Sequence, residues 1–167
     1  MIDFLGGFSQ FTGIYGFMNS MWGWPVIESL HFIGLCLLLG TVGVFDLRML
    51  GLAKQIPYQY LHKLVPFGVA GYLINVTTGI MFLTTAPDQY VYNPAFQTKM
   101  LFMLLAGINM LSFYGFCNQY VQNAGTNPLP TRIKLVAGIS LIAWSAIIVC
   151  GRLITYFRPP YHWCLWC

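Results

Sequence analysis

Charge is what this sequence has least of. Of its 167 residues, 8 are Lys or Arg and 4 are Asp or Glu, so charged side chains make up 7% of the chain. A soluble domain carries roughly 25%, and twelve charges cannot cover the surface of a soluble fold of this length. That scarcity excludes a soluble globular enzyme and a disordered tail. Basic runs are missing too. The net charge of +4 comes from scattered residues, which excludes a nucleic-acid-binding face and makes the Lys and Arg residues markers of membrane orientation. There is no nucleophile beside a base, no paired carboxylates and no Gly loop of the phosphate-cradling kind, so the reading favours a protein that is not an enzyme.

What the chain has is apolar length: 57% of it is hydrophobic and 17% aromatic. Four stretches reach the roughly 20 apolar residues that a bilayer crossing needs, at about 26–47, 62–86, 99–121 and 134–157. Between them stand the breakers Pro57, Pro87, Asn93-Pro94 and Asn127-Pro128-Leu129-Pro130. Backbone groups in hydrocarbon must be bonded within the chain, and these runs are too long for barrel strands. The expectation is therefore all-α, an integral membrane four-helix antiparallel bundle over residues 24–157. Residues 158–167 form an aromatic and Cys-bearing tail.

Residues 1–23 read differently. They carry no charge after Asp3, and Gly6, Gly7, Gly13, Gly16 and Gly23 make a poor spanning helix. Phe4, Phe8, Phe11, Tyr15, Met18 and Trp22 recur at spacings of three and four, so this segment is expected to be an amphipathic helix lying in the interface. With no basic leader and no small-residue cleavage site, it is expected to be retained. Trp22 and Trp24 mark the interface, and Pro25 suits the first turn of the first span.

Orientation follows from the cations beside the spans. Arg48, Lys54, Lys63, Arg132 and Lys134 lie on one side, and Lys99, Arg152 and Arg158 on the other. The positive-inside rule then puts both termini on the periplasmic side of a bacterial inner membrane.

Ionisable groups within spans are functional suspects. Glu28 and Arg152 sit at similar depth in the first and last spans and are expected to pair as a clamp. Asp46, at the other end of the first span, is within reach of Arg48, Lys63 or Lys134. His31 lies in the apolar run Leu30-His31-Phe32-Ile33-Gly34, about 10 Å below the interface at 1.5 Å per residue. It reads as a hydrogen-bonded structural His or as an axial ligand of haem b. His62 falls about 25 Å away along the bundle, so the two cannot grip one haem, whereas Met100 and Met103 enter at the depth of His31. In the tail, His162, Cys164 and Cys167 offer three metal ligands or a small disulfide, against an interfacial tail anchored by Trp163 and Trp166. Cys36, Cys117 and Cys150 read as small packing residues. Asn75, Thr77, Thr78, Asn109 and Ser112 read as interhelical hydrogen-bonding groups.

The run from Leu30 to Gly34, Gly40, the sequence Asp46-Leu47-Arg48-Met49-Leu50-Gly51, Thr78-Gly79, Lys99-Met100, Asn109 and Gly151-Arg152 together resemble an uncharacterised family of small bacterial four-span membrane proteins. That family is distantly similar to copper-resistance-D-type and b-type-cytochrome-like bundles. The resemblance covers about residues 24–156 and implies an inner-membrane bundle with His31 at the family's first-span His. Members place another His in the third span, where this chain reads Asn109-Met110-Leu111-Ser112-Phe113-Tyr114.

Two functions from different classes follow. The first is a non-catalytic accessory or anchoring subunit of a larger membrane complex, its partners being the bilayer and other membrane subunits. The alternative is a small b-type-cytochrome-like electron-transfer protein with His31 as an axial haem ligand and Met103 as a candidate for the other.

Overall fold

The computed structural model describes residues 2–52, 54–124 and 129–157. Among them the regular structure is helical. α1 (Ile2–Phe11) and α2 (Ile14–Met18) precede the first long helix, α3 (Gly23–Leu50). α4 (Tyr58–His62) and α5 (Val65–Thr85) follow, then the short α6 (Pro87–Val91). α7 (Pro94–Ser112) continues through a π-helical turn (Phe113–Cys117) into α8 (Asn118–Ala124). α9 (Thr131–Leu153) ends in a 3-10 turn (Ile154–Phe157). Four segments are long and apolar enough to cross a membrane: Gly23–Leu50, Tyr58–Thr85, Pro94–Val121 and Thr131–Phe157. The aromatic tail, with His162, Cys164 and Cys167, lies outside the described residues.

Helix ends follow local chemistry. Gly51 adopts φ 105° and closes α3, donating its N–H to the Arg48 carbonyl at 3.1 Å while Leu52 N–H reaches the Leu47 carbonyl at 3.0 Å. This paired closure needs a left-handed residue, which glycine supplies without a Cβ clash. The second span is interrupted between α4 and α5 because Pro66, in the first turn of α5, has no N–H to give and disfavours helix in the residue before it. The third helix begins at Pro94, earlier than its apolar run suggests. Asn93 caps it, its Oδ1 accepting from Ala95 N–H at 3.0 Å and Phe96 N–H at 3.4 Å. The N-terminal segment, expected as one helix, is split by Gly13 at φ 75° into α1 and α2, both of which pack on α5. Met18 turns into the protein at 1% exposure, while Phe4, Phe11 and Trp22 point outward.

The long helices form two hairpins, α3 with α5 and α7 with α9, joined by the packing of α3 on α9. Small residues set the first pairing, since Gly34, Gly68 and Gly71 bring α3 and α5 to backbone contact. Ala106, Ala143 and Ile147 pack α7 on α9, and Met49, Tyr58, Phe113, Val121, Ile133 and Ala137 fill the end of the bundle that carries the α3–α4 turn. α5 and α7 form no comparable interface, so the bundle is closed on three sides and split on the fourth.

Asn93 also fastens the other end. It is 0% exposed, and its Nδ2 donates to the carbonyls of Ile154 at 3.0 Å and Phe157 at 3.2 Å. Asn93→Ala is expected to lower stability by about 2–3 kcal/mol, from a lost cap and newly unpaired buried carbonyls. Asn93→Asp keeps the cap acceptor but sets a buried carboxylate oxygen against the Ile154 and Phe157 carbonyls, and should cost at least as much. Thermal unfolding in detergent followed by circular dichroism ranks the two.

Candidate functional site

The split between α5 and α7 is a cleft of about 420 Å³, floored by α3 and α9. Its walls are largely aliphatic, with Leu38, Val42, Val65, Val69, Met103 and Met110 among them. Polar groups gather toward the end near the α3–α4 turn, where Asp46, His62, Asn109 and Ser140 line it. Asp46 is 3% exposed, lines the cleft together with Ser140 and keeps Oδ2 without a partner. His62 Nε2 is likewise buried and unpartnered. The His62 ring stands edge-on to Phe45 at 5.4 Å, Phe45 meets Phe113 at 5.5 Å, and Phe113 meets Tyr114 at 5.4 Å. Asn109 bridges the hairpin beside it, donating from Nδ2 to the Val136 carbonyl at 3.1 Å.

The ionisable residues singled out in the sequence are distributed differently from expectation. Arg48 does not bond Asp46. Residues two apart on a helix point to different sides, and the Arg48 guanidinium turns toward the α3–α4 turn. There Nε donates to the Ile56 carbonyl at 2.7 Å, Nη2 to the Lys54 carbonyl at 3.0 Å and Nη1 to the Tyr58 hydroxyl at 3.0 Å. Glu28 and Arg152 are both exposed and no ion pair joins them, because equal depth does not place two residues on facing sides of their helices. His31 is half-buried between α3 and α5, its Nδ1 2.7 Å from the Thr78 hydroxyl and its ring edge-on to Phe82 at 5.7 Å. Met103 faces the cleft and the α7–α9 cluster of Ala106, Ala143 and Ile147. His31 is not among the residues lining that cleft, so the two do not share a cavity. His62 meets Phe45 edge-on, roughly 21 Å along α3 from His31 at 1.5 Å per residue.

Of the span-embedded polar residues, Thr78 and Asn109 join helices. Asn75, Thr77 and Ser112 bond carbonyls of their own helices, those of Gly71, Leu73 and Ile108. Cys36 is exposed, Cys117 half-buried and Cys150 buried, all with free thiols.

Three residues acquire a role that sequence reading did not assign. His62 and Ser140 belong to the polar end of the cleft, which no motif announces because they come from α4 and α9. Lys99 is the third. It is half-buried against α9, with its Nζ 3.7 Å from where a Gly151 Cβ would stand. The signal for it was the Asn93-Pro94 cap, which starts the helix early and carries Lys99 into the span.

The model of a family of unknown function, DUF6644, matches residues 3–157. No curated protein and no solved structure matches the chain. The expected likeness to copper-resistance-D-type and b-type-cytochrome-like bundles finds no support in these comparisons.

Proposed function

The chain belongs to this family of unknown function, and we propose that it is a non-catalytic accessory or anchoring subunit of a larger bacterial inner-membrane complex, with both termini on the periplasmic side. The observation that carries this reading is where its polar side chains are spent. His31 to Thr78, Asn109 to Val136, Arg48 to the α3–α4 turn and Asn93 to the end of α9 each tie parts of this chain together. Its outward surface, with residues such as Phe32, Leu73, Leu104 and Ile142, is apolar and exposed. In a bilayer such a surface serves lipid and subunit contacts alike, and packing decides between them. The burial of Lys99 supports the orientation, since a lysine inside the span is a weaker topogenic charge than one in a connecting loop.

A photoreactive residue at Leu73 or Leu104, irradiated in native membranes, tests the reading. Crosslinks from one of these positions to a single partner, in a complex that survives mild detergent, are expected. Crosslinks to lipid alone from both positions, with a monodisperse monomer, would overturn it.

One observation favours the second reading, a b-type cytochrome. The Thr78 hydroxyl donates to the Ile74 carbonyl at 2.7 Å, so it accepts from His31 Nδ1–H and leaves the Nε2 lone pair available to a metal. That fits one axial bond to a haem iron, and the separation of Met103 from His31 removes the second. A Soret band lost in His31→Ala would carry the cytochrome reading, and a colourless folded protein would end it.

A further inference from the structure

We propose that the cleft between α5 and α7 is a binding site for a lipid-soluble amphiphile whose head is a planar ring bearing hydroxyl or carbonyl oxygens, the chemistry of a lipid quinone or quinol. The head lies against Asp46, His62 and Ser140, and the apolar tail leaves between α5 and α7 toward the bilayer.

Four observations converge on this occupant. The cleft, about 420 Å³ and mostly aliphatic with a few polar groups at one end, has the size and lining of small-molecule sites. Its polar end is unfinished: Asp46 Oδ2 and His62 Nε2 are both buried there without a hydrogen-bond partner. Buried polar atoms without partners are costly and uncommon in native structures. An acyl chain cannot satisfy them, whereas a quinol hydroxyl donates to the carboxylate, and a quinone oxygen accepts from the protonated carboxyl and from His62 Nε2–H. Rotation about the Asp46 χ2 exchanges its two oxygens, so either can turn to the ligand.

Charge narrows the head group further. Every nitrogen of Arg48 donates to the α3–α4 turn or Tyr58, and the Lys63 ammonium lies over the Tyr60 ring at 5.6 Å. A phosphate head would meet the Asp46 carboxyl without either of these cations to balance it. Finally, the edge-to-face series of His62, Phe45, Phe113 and Tyr114 along the cleft offers aromatic edges and faces to a flat ring.

The test uses the full chain in phosphatidylcholine nanodiscs, titrated with decylubiquinone and read by tryptophan fluorescence, since Trp144 lines the cleft. Saturable quenching is expected, with Trp144→Phe removing most of the saturable part. Asp46→Leu should weaken binding at least tenfold, and Asp46→Asn, which keeps hydrogen-bonding capacity, by no more than about threefold. Gly107→Leu should abolish saturable quenching. Gly107 lines the cleft and a Cβ there meets nothing within 4 Å, so the new side chain fills the site without disturbing the helices. Circular dichroism and elution volume establish that each variant is folded. Unsaturable quenching that is the same in wild type, Asp46→Leu and Gly107→Leu would overturn the proposal. So would displacement of the quinone by phosphatidylglycerol. None of these outcomes depends on whether the chain is an accessory subunit.

Discussion

Gly71→Leu is expected to force α3 and α5 apart and to destabilise the bundle by about 3 kcal/mol or more, beyond the usual cost of overpacking because backbone must move. A Cβ at Gly71 would stand 2.6 Å from the Gly34 carbonyl oxygen and 2.7 Å from the Leu38 nitrogen. Neither is a flexible side-chain tip, so the strain cannot be relieved by a rotamer change. Gly34 mirrors it from the other helix, where a Cβ would come within 3.0 Å of the Gly71 oxygen. With hydrocarbon outside and protein inside equally apolar, close backbone approach is a main source of helix association in a bilayer. The His31–Thr78 hydrogen bond crosses the same interface and should be lost with it. Gly79→Leu is the control, because a Cβ at Gly79 meets nothing within 4 Å and leucine is the better helix former. Unfolding by SDS titration, followed by circular dichroism, should show an early transition for Gly71→Leu and an unchanged or later one for Gly79→Leu. Equal transitions would mean that the glycine contact does not hold the hairpin.

Arg48→Met is expected to cost about 3–5 kcal/mol, for a different reason. The guanidinium is 2% exposed, bonds two carbonyls of the α3–α4 turn and the Tyr58 hydroxyl, and lies 4.1 Å from the centre of the Tyr58 ring. Hydrogen bonds from a charged donor contribute about 1.5–3 kcal/mol each, and the acceptors left behind lose their partner with little water to replace it. Methionine retains much of the stem's packing, so the loss reports on the guanidinium itself. Arg48→Lys keeps the charge but presents one ammonium where three nitrogens diverge, and should recover less than half of the deficit. The turn between Gly51 and Pro57 should become sensitive to protease in Arg48→Met before the bundle unfolds. Cleavage rates equal to wild type would show that Arg48 is not what holds the turn.

Class and segmentation were legible in the residues. Twelve charges and four apolar runs leave a membrane bundle as the physical solution, because hydrocarbon tolerates few charges and requires every backbone group to be bonded. Prolines placed the breaks, and where expectation slipped, at Pro66 and Asn93-Pro94, the local chemistry was visible but outweighed by the hydropathy of its surroundings. His31 stood out for a similar reason, as an imidazole in an apolar run, and its partner Thr78 was already marked as a residue that joins helices.

The clefts and pairs were not legible. Asp46 and Arg48 are neighbours in sequence and diverge in space, Glu28 and Arg152 are matched in depth by the sequence yet form no ion pair, and Lys99 reads as a boundary charge until the helix is seen to begin five residues before it. The sequence by itself determined that the chain is helical with four segments long and apolar enough to cross a membrane, since solvation and backbone bonding act on each segment separately. Only the tertiary structure decided that α5 packs on α3, that α7 packs on α9, and that the gap left between α5 and α7 gathers Asp46, His62 and Ser140. A membrane helix is apolar on nearly every side, so its composition does not say which side meets which neighbour. Shape does, through contacts such as Gly34 against Gly71, and shape complementarity belongs to a pair of helices rather than to either one.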